Sequence, residues 1–257
     1  MGTYNTKIIA MAGKGGTGKT TVTALVVRYL LKKALTPVLA VDADANANLN
    51  ELLGLDIDVT LGEIRDQMKT QTPVGMTKNE YMELRINQAI IESKGFDLVV
   101  MGQPEGPGCY CMANAILAQV MDKLKSNYRY MLVDNEAGME HLSRLNLRNI
   151  HTLFVVSDAS IRGVTAAVRI SKLTSALSVD VFQKVLIVNK TPKEIPEALK
   201  DFIDKSTKDT DLQFGGFMPL SDKLFECEIN QIPLIELDDN VDAVSCANKI
   251  FDRYLVN

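Results

Sequence analysis

The chain has 257 residues, 46% of them hydrophobic, and a formal net charge of −4 at pH 7. That is enough apolar material for a large core, at the upper end for one α/β domain. The acidic balance excludes a basic nucleic-acid footprint, no run of about eighteen apolar residues offers a membrane span, and four cysteines make no secretory disulfide framework.

Ile8–Ala12 reads as a buried strand close to Met1. A strand so near the start leaves no room for a signal or transit peptide, so the expected location is the cytoplasm. It runs into Gly13-Lys14-Gly15-Gly16-Thr17-Gly18-Lys19-Thr20-Thr21, and helical spacing of Val22, Leu25, Val26, Tyr29 and Leu30 follows up to Lys33. Strand, glycine loop and helix is the setting of a nucleotide-binding P-loop. Glycines let main-chain N–H groups turn inward around phosphates, and the helix N-terminus adds a positive dipole end. Lys19 would reach the β- and γ-phosphates and the Thr20 hydroxyl would sit on Mg²⁺.

Val38–Val41 reads as a strand ending at Asp42, and Asp42-Ala43-Asp44 follows beside the P-loop. A carboxylate there suits water activation or metal binding; the plainer alternative for Asp44 is a cap on the next turn. Asp56–Asn79 is polar and aperiodic, and reads as surface loops and helical fragments. Leu98–Met101 reads as a strand, followed by Gly106-Pro107-Gly108-Cys109-Tyr110-Cys111 and a helix over Met112–Ser126. Residues i and i+2 of an extended chain face one side, so Cys109 and Cys111 can present two thiols together. Two thiolates are too few for a closed soft-metal site, and a two-fold dimer would supply four. Four sulfurs suit Zn²⁺, nickel or an iron–sulfur cluster. A structural cysteine pair and a strained redox pair are the rival readings.

Tyr130–Val133 reads as a strand ending at Asp134, then Asn135-Glu136-Ala137-Gly138 and a helix over Glu140–Asn149. Strands at Thr152–Val156, Val185–Val188 and Phe214–Met218 alternate with helices at Ile161–Leu177, Ile195–Lys205 and Val241–Leu255. The alternation predicts an α/β fold: a mainly parallel twisted sheet with helices on both faces, as one domain over 1–257. Ligands bind such sheets at the carboxyl ends of the strands. Asn189-Lys190 closes one strand there and Pro219-Leu220-Ser221-Asp222 another. Cys227 and Cys246 lie in helical apolar settings that read as core, and His141 and His151 read as structural.

Lys14, directly after the first P-loop glycine, resembles the deviant Walker A signature of the MinD/ParA/nitrogenase iron-protein class of P-loop ATPases. The resemblance implies two protomers facing across two nucleotides, with Lys14 reaching the partner's γ-phosphate. It makes Asp42-Ala43-Asp44 switch I, with Asp44 acting on the attacking water and Asp42 helping to hold the Mg²⁺ shell. Asp134 becomes the Walker B carboxylate and Gly138 a γ-phosphate sensor. Glu136 stands where MinD relatives usually carry proline. Asn189 and Lys190 would read the adenine, and Pro219, Leu220 and Asp222 would wall the base pocket. P-loop, Asp42-Ala43-Asp44, Cys109-Tyr110-Cys111 and Asp134-Asn135-Glu136-Ala137-Gly138-Met139-Glu140-His141, in this order, resemble the nickel-insertion ATPases of the CooC/AcsF type. These mature carbon monoxide dehydrogenase and acetyl-CoA synthase. The likeness implies an ATP-hydrolysing homodimer that binds Ni²⁺ or Zn²⁺ through Cys109 and Cys111 and delivers to a client nickel enzyme. Two other readings stay open. One is an iron–sulfur electron donor resembling the nitrogenase iron protein, which adjacent cysteines fit poorly. The other is a MinD/ParA-type positioning ATPase, which the mixed charge of the Ala247–Asn257 tail and the net charge of −4 disfavour.

Overall fold

The computed structural model describes residues 4–70, 73, 75–103, 110–137, 140–145 and 147–256, without the side chains of 69, 70, 78, 79, 110, 111, 140 and 141. Its centre is an eight-stranded sheet in the order β3-β4-β2-β5-β1-β6-β7-β8. The strands are β1 Lys7–Gly13, β2 Val38–Ala43, β3 Ile91–Glu92, β4 Phe96–Val100, β5 Tyr130–Asn135, β6 Ile150–Asp158, β7 Val181–Thr191 and β8 Leu212–Pro219. All pairings are parallel except β3 with β4. The helices are α1 Lys19–Lys32, α2 Leu49–Leu53, α3 Leu61–Thr70, α4 Lys78–Gln88, α5 Tyr110–Leu124, α6 Glu140–Arg144, α7 Ile161–Ala176, α8 Glu197–Thr207, α9 Asp222–Ile229 and α10 Asp242–Tyr254.

The strands are apolar along nearly their whole length because both faces are covered. Alternate residues serve opposite layers. Ile9, Met11, Val38, Ala40 and Leu132 pack in one core with Val22, Leu25 and Val26 of α1 and with Phe251 of α10. Ala10, Ala12, Leu39, Val41, Met131 and Val133 pack in the other with Ala113 and Leu117 of α5 and Leu142 of α6. Phe251 meets Tyr29 and Phe154 edge-on, with ring centroids 5.5 and 5.7 Å away. The C-terminal helix α10 is therefore a packed structural element, as its mixed charge indicates. Burying a side chain of this size is worth roughly 1.5–3 kcal/mol. Among the described residues no helix is long and apolar enough to cross a membrane.

Three local expectations change. The polar stretch after Asp56 holds a regular helix, α3, which buries Leu61 and Ile64 in the core. Thr60 and Glu63 start it with a reciprocal capping box: the Thr60 N–H donates to Glu63 Oε2 at 2.7 Å and the Glu63 N–H to Thr60 Oγ1 at 3.2 Å. The helix expected over Glu140–Asn149 stops at Arg144, and Asn149, at φ 58°, turns the chain into β6 in the left-handed region that asparagine tolerates. α9, anticipated only as the helical surroundings of Cys227, is an element of its own.

Candidate functional site

The P-loop leaves β1, which stands between β5 and β6 at the middle of the sheet. β1 pairs with β5 from Lys7 to Ala10, then follows β6 alone as far as Gly13 and Val156. The gap that opens at the carboxyl edge is where the loop turns back into α1. Gly18 makes the turn at φ 90°. A Cβ there would lie 2.4 Å from Asn189 Nδ2, so conformation and space both require glycine.

Several ties hold the loop. Thr17 Oγ1 donates to the Lys14 carbonyl at 2.9 Å. Asn189 Nδ2 donates to the Thr17 carbonyl at 2.9 Å, and Lys190 Nζ donates to the Gly16 carbonyl at 2.9 Å. Asn189 Oδ1 accepts from the Lys190 N–H at 2.8 Å. The Asn189 amide thus braces the loop through Nδ2, while its Oδ1 is held by the N–H of the next residue. The Leu220 N–H donates to the Thr191 carbonyl at 2.9 Å, which sets Pro219–Asp222 against the end of β7. Lys14 and Gly15 are exposed, while Lys19 is buried.

Asp134, at the end of β5, faces α1. Its Oδ1 accepts from Thr23 Oγ1 at 3.0 Å, while Thr23 also donates to the Lys19 carbonyl at 3.0 Å. Burial pushes the Asp134 carboxyl up to about 6, and hydrogen bonds from Thr20 and Thr23 and the charge of Lys19 pull against it. Asp42, fully buried, accepts from the Asp44 N–H at 3.1 Å and from the Leu49 N–H at 2.9 Å. Burial raises it to about 7. Both of its oxygens thus hold main chain of the turn that carries Asp44. Asp44, half-buried, accepts from the Asn46 N–H at 2.9 Å, so it caps the turn as well as facing the edge. The donor set of a threonine hydroxyl and a buried carboxylate fits a hard cation such as magnesium.

Cys109 and Gly138 lie outside the described residues. Cys111 is described in its main chain only, in the first turn of α5. That turn begins on the same sheet edge as the P-loop, because β4 runs parallel to β2 and α5 returns from its carboxyl end. Cys227 is buried in the core and Cys246 half-buried; His151 is half-buried against Phe182, with ring centroids 5.5 Å apart. Among the described residues no group of three or more His, Cys, Asp or Glu is placed to hold a metal. Sequence reasoning missed Thr23 and gave Asn135 no role. Thr23 was legible as a polar residue four places after Lys19 on the apolar face of α1.

Residues 8–234 match the CobQ/CobB/MinD/ParA nucleotide binding domain. An ATP-binding protein of Methanocaldococcus jannaschii is 38% identical over 253 residues, covering 96% of this chain and 98% of the relative. The carbon monoxide dehydrogenase accessory protein CooC of Rhodospirillum rubrum is 26% identical over 185 residues, 66% of this chain and 70% of CooC. Among solved structures, the septum site-determining protein MinD of Pyrococcus horikoshii, complexed with Mg-ADP, superposes with a TM-score of 0.71 at 21% identity, over 98% of this chain and 96% of that one.

Proposed function

The chain belongs to the CobQ/CobB/MinD/ParA nucleotide-binding family and is an ATPase of it, and from that premise we propose that it is an ATP-driven nickel metallochaperone of the CooC/AcsF type. The observation that carries this reading is the main-chain position of Cys111 in the first turn of α5, on the same sheet edge as the P-loop. Metal bound there would lie on the face that two nucleotide-bound protomers turn toward each other. The likeness to CooC adds support. The apolar face of α10 is packed in the core and is not available to a membrane.

In this reading the whole chain, 1–257, works as one ATPase domain. Main-chain N–H groups from Gly13 to Thr21 and the Lys19 ammonium cradle the phosphates. Thr20 and Asp134 hold magnesium, which when bound neutralises charge on the transferring phosphoryl group. Asp44 orients the attacking water, and Asp42 presents it by fixing the turn. Lys14, which is exposed, reaches the partner's γ-phosphate in a homodimer. Asn189, Lys190, Pro219, Leu220 and Asp222 border the base, and Gly138 senses the γ-phosphate. Cys109 and Cys111 of both protomers bind one Ni²⁺ or Zn²⁺ as cargo for a client nickel enzyme, carbon monoxide dehydrogenase or acetyl-CoA synthase. Metal and ATP then favour the same dimer, and each strengthens binding of the other by the same coupling free energy.

Titration of Ni²⁺ into the protein with ADP and with a non-hydrolysable ATP analogue, followed by metal content and subunit state, tests the proposal. One metal per dimer is expected, with binding lost in Cys109→Ser and in Cys111→Ser. Full-affinity nickel binding by a monomer or by either variant overturns it.

A further inference from the structure

The residue after Asp134 has a side chain that the site as described leaves unused. Asn135 is 1% exposed and points away from Asp134, toward the layer of α5 and α6, because successive residues of a strand face opposite sides. Its Nδ2 donates to the Met11 carbonyl at 2.9 Å and to the Val133 carbonyl at 3.3 Å. Two carbonyl acceptors fix which end of the amide is the nitrogen. The bond to Met11 spans the gap where β1 has left β5, so Asn135 ties the Walker B strand to the strand that feeds the P-loop. Its Oδ1 is buried and has no hydrogen-bond partner among the described residues.

Neighbouring strand ends on this edge behave differently. Asp42 Oδ1 accepts from the N–H of Asp44 at 3.1 Å, two residues on, and Asp44 Oδ1 from that of Asn46 at 2.9 Å. Asp158, ending β6, accepts from the Ser160 N–H at 3.0 Å. Each closes the local turn that short Asp and Asn side chains favour. Asn135 has the same chemistry at the end of β5, and its acceptor is open. Two residues on stands Ala137, which already borders the P-loop: a Cβ built on Gly15 would lie 4.0 Å from the Ala137 Cβ.

We propose that Asn135 is a positioning residue for ATP hydrolysis, whose Oδ1 accepts the Ala137 N–H when ATP binds and so draws Glu136 and Ala137 against the P-loop. The closed turn satisfies a buried acceptor that is otherwise costly to leave unpaired. The anchored Nδ2 keeps that acceptor in place while the loop moves. The inference rests on the assignment of Asp134 and its loop to the γ-phosphate side of the site.

The wild-type protein with magnesium and a non-hydrolysable ATP analogue provides the direct test. A crystal structure should place the Ala137 nitrogen within about 3.2 Å of Asn135 Oδ1, and amide exchange at Ala137 should slow relative to the ADP complex. Movement of the loop without that bond overturns the inference alone. A loop indifferent to nucleotide overturns the site assignment with it. Asn135→Leu, similar in volume and without either polar group, should lower kcat about tenfold, the worth of one hydrogen bond made only in the closed state, with KM for ATP within about twofold. Asn135→Ser, which keeps a weaker acceptor for the same turn, should recover part of that loss. A purely structural residue would lower the melting temperature without splitting kcat from KM, and that result also overturns the proposal. Both wild-type measurements stand even if the leucine variant fails to fold.

Discussion

Thr17 and Thr23, on the P-loop side of the nucleotide edge, are bonded to strands far away in the chain: Thr17 through Asn189 of β7 and Thr23 through Asp134 of β5. Asp44, on the switch side, is bonded through its carboxylate to Asn46, and Glu136 and Ala137 are exposed. The first region is a cradle braced by the sheet. The second is held by contacts within its own turns. A preorganised cradle binds phosphates without reorganising, whereas a locally held segment can move at small cost when the γ-phosphate arrives or leaves. In the proposed reading, the division of labour between binding and switching follows from which hydrogen bonds are long-range.

The largest expected effect comes from removing one charge on each side. Lys19→Ala should weaken nucleotide binding and turnover together, while Asp44→Ala should keep nucleotide and lose turnover, by about 10²–10³-fold for such an electrostatic contact. Nucleotide affinity by calorimetry beside steady-state hydrolysis separates them; equal behaviour of the two variants would erase the contrast between cradle and switch. Next comes the brace itself. Gly18→Ala places a side chain at φ 90° and 2.4 Å from Asn189 Nδ2, so stability should fall by about 2 kcal/mol. Adding Asn189→Ala should cost less than the sum of the two single changes, because the clash disappears with the amide. Denaturant melts of the four proteins in the cycle read this directly.

The smallest effect is the pH dependence. Asp42 and Asp134 titrate near 7 and 6 in the fold, above ordinary carboxylates. Between the ordinary carboxylate range and about pH 7 the native state therefore holds more protons than the unfolded chain, and stability contributed by these groups falls as pH rises through that window. Without nucleotide, the urea midpoint should be higher at pH 5 than at pH 7.5. If Asp134 holds magnesium as proposed, magnesium nucleotide would favour its ionised form, so affinity should move the other way and weaken as pH falls through about 6.

The cradle's local part was legible because it is contiguous: β1, the glycine loop and α1 occupy one stretch, and each apolar period is clear. The carboxyl-edge rule brought Asp42, Asp134 and Asn189 to that stretch correctly in topology. Their hydrogen bonds were not legible, since nothing in the neighbourhood of Asn189 records that its partner is the Thr17 carbonyl. The expectation that Asn189 reads adenine met an amide already engaged at both ends. α3 was legible only as a surface helical fragment, for a different reason. Its start, Thr60-Leu61-Gly62-Glu63, carries a capping-box signature, but its polar residues dilute the period that was sought. β3, two residues long, is too short to show any period.

The brace between Asn189 and Thr17 spans 172 residues of chain. A polypeptide leaves the ribosome at roughly 5–20 residues per second, so the phosphate loop waits on the order of ten seconds or more for the side chain that steadies it. β1 also waits for β5, which must slide between it and β2. The growing chain consequently carries a P-loop without a finished phosphate cradle until β7 has emerged, and grips nucleotide firmly only afterwards.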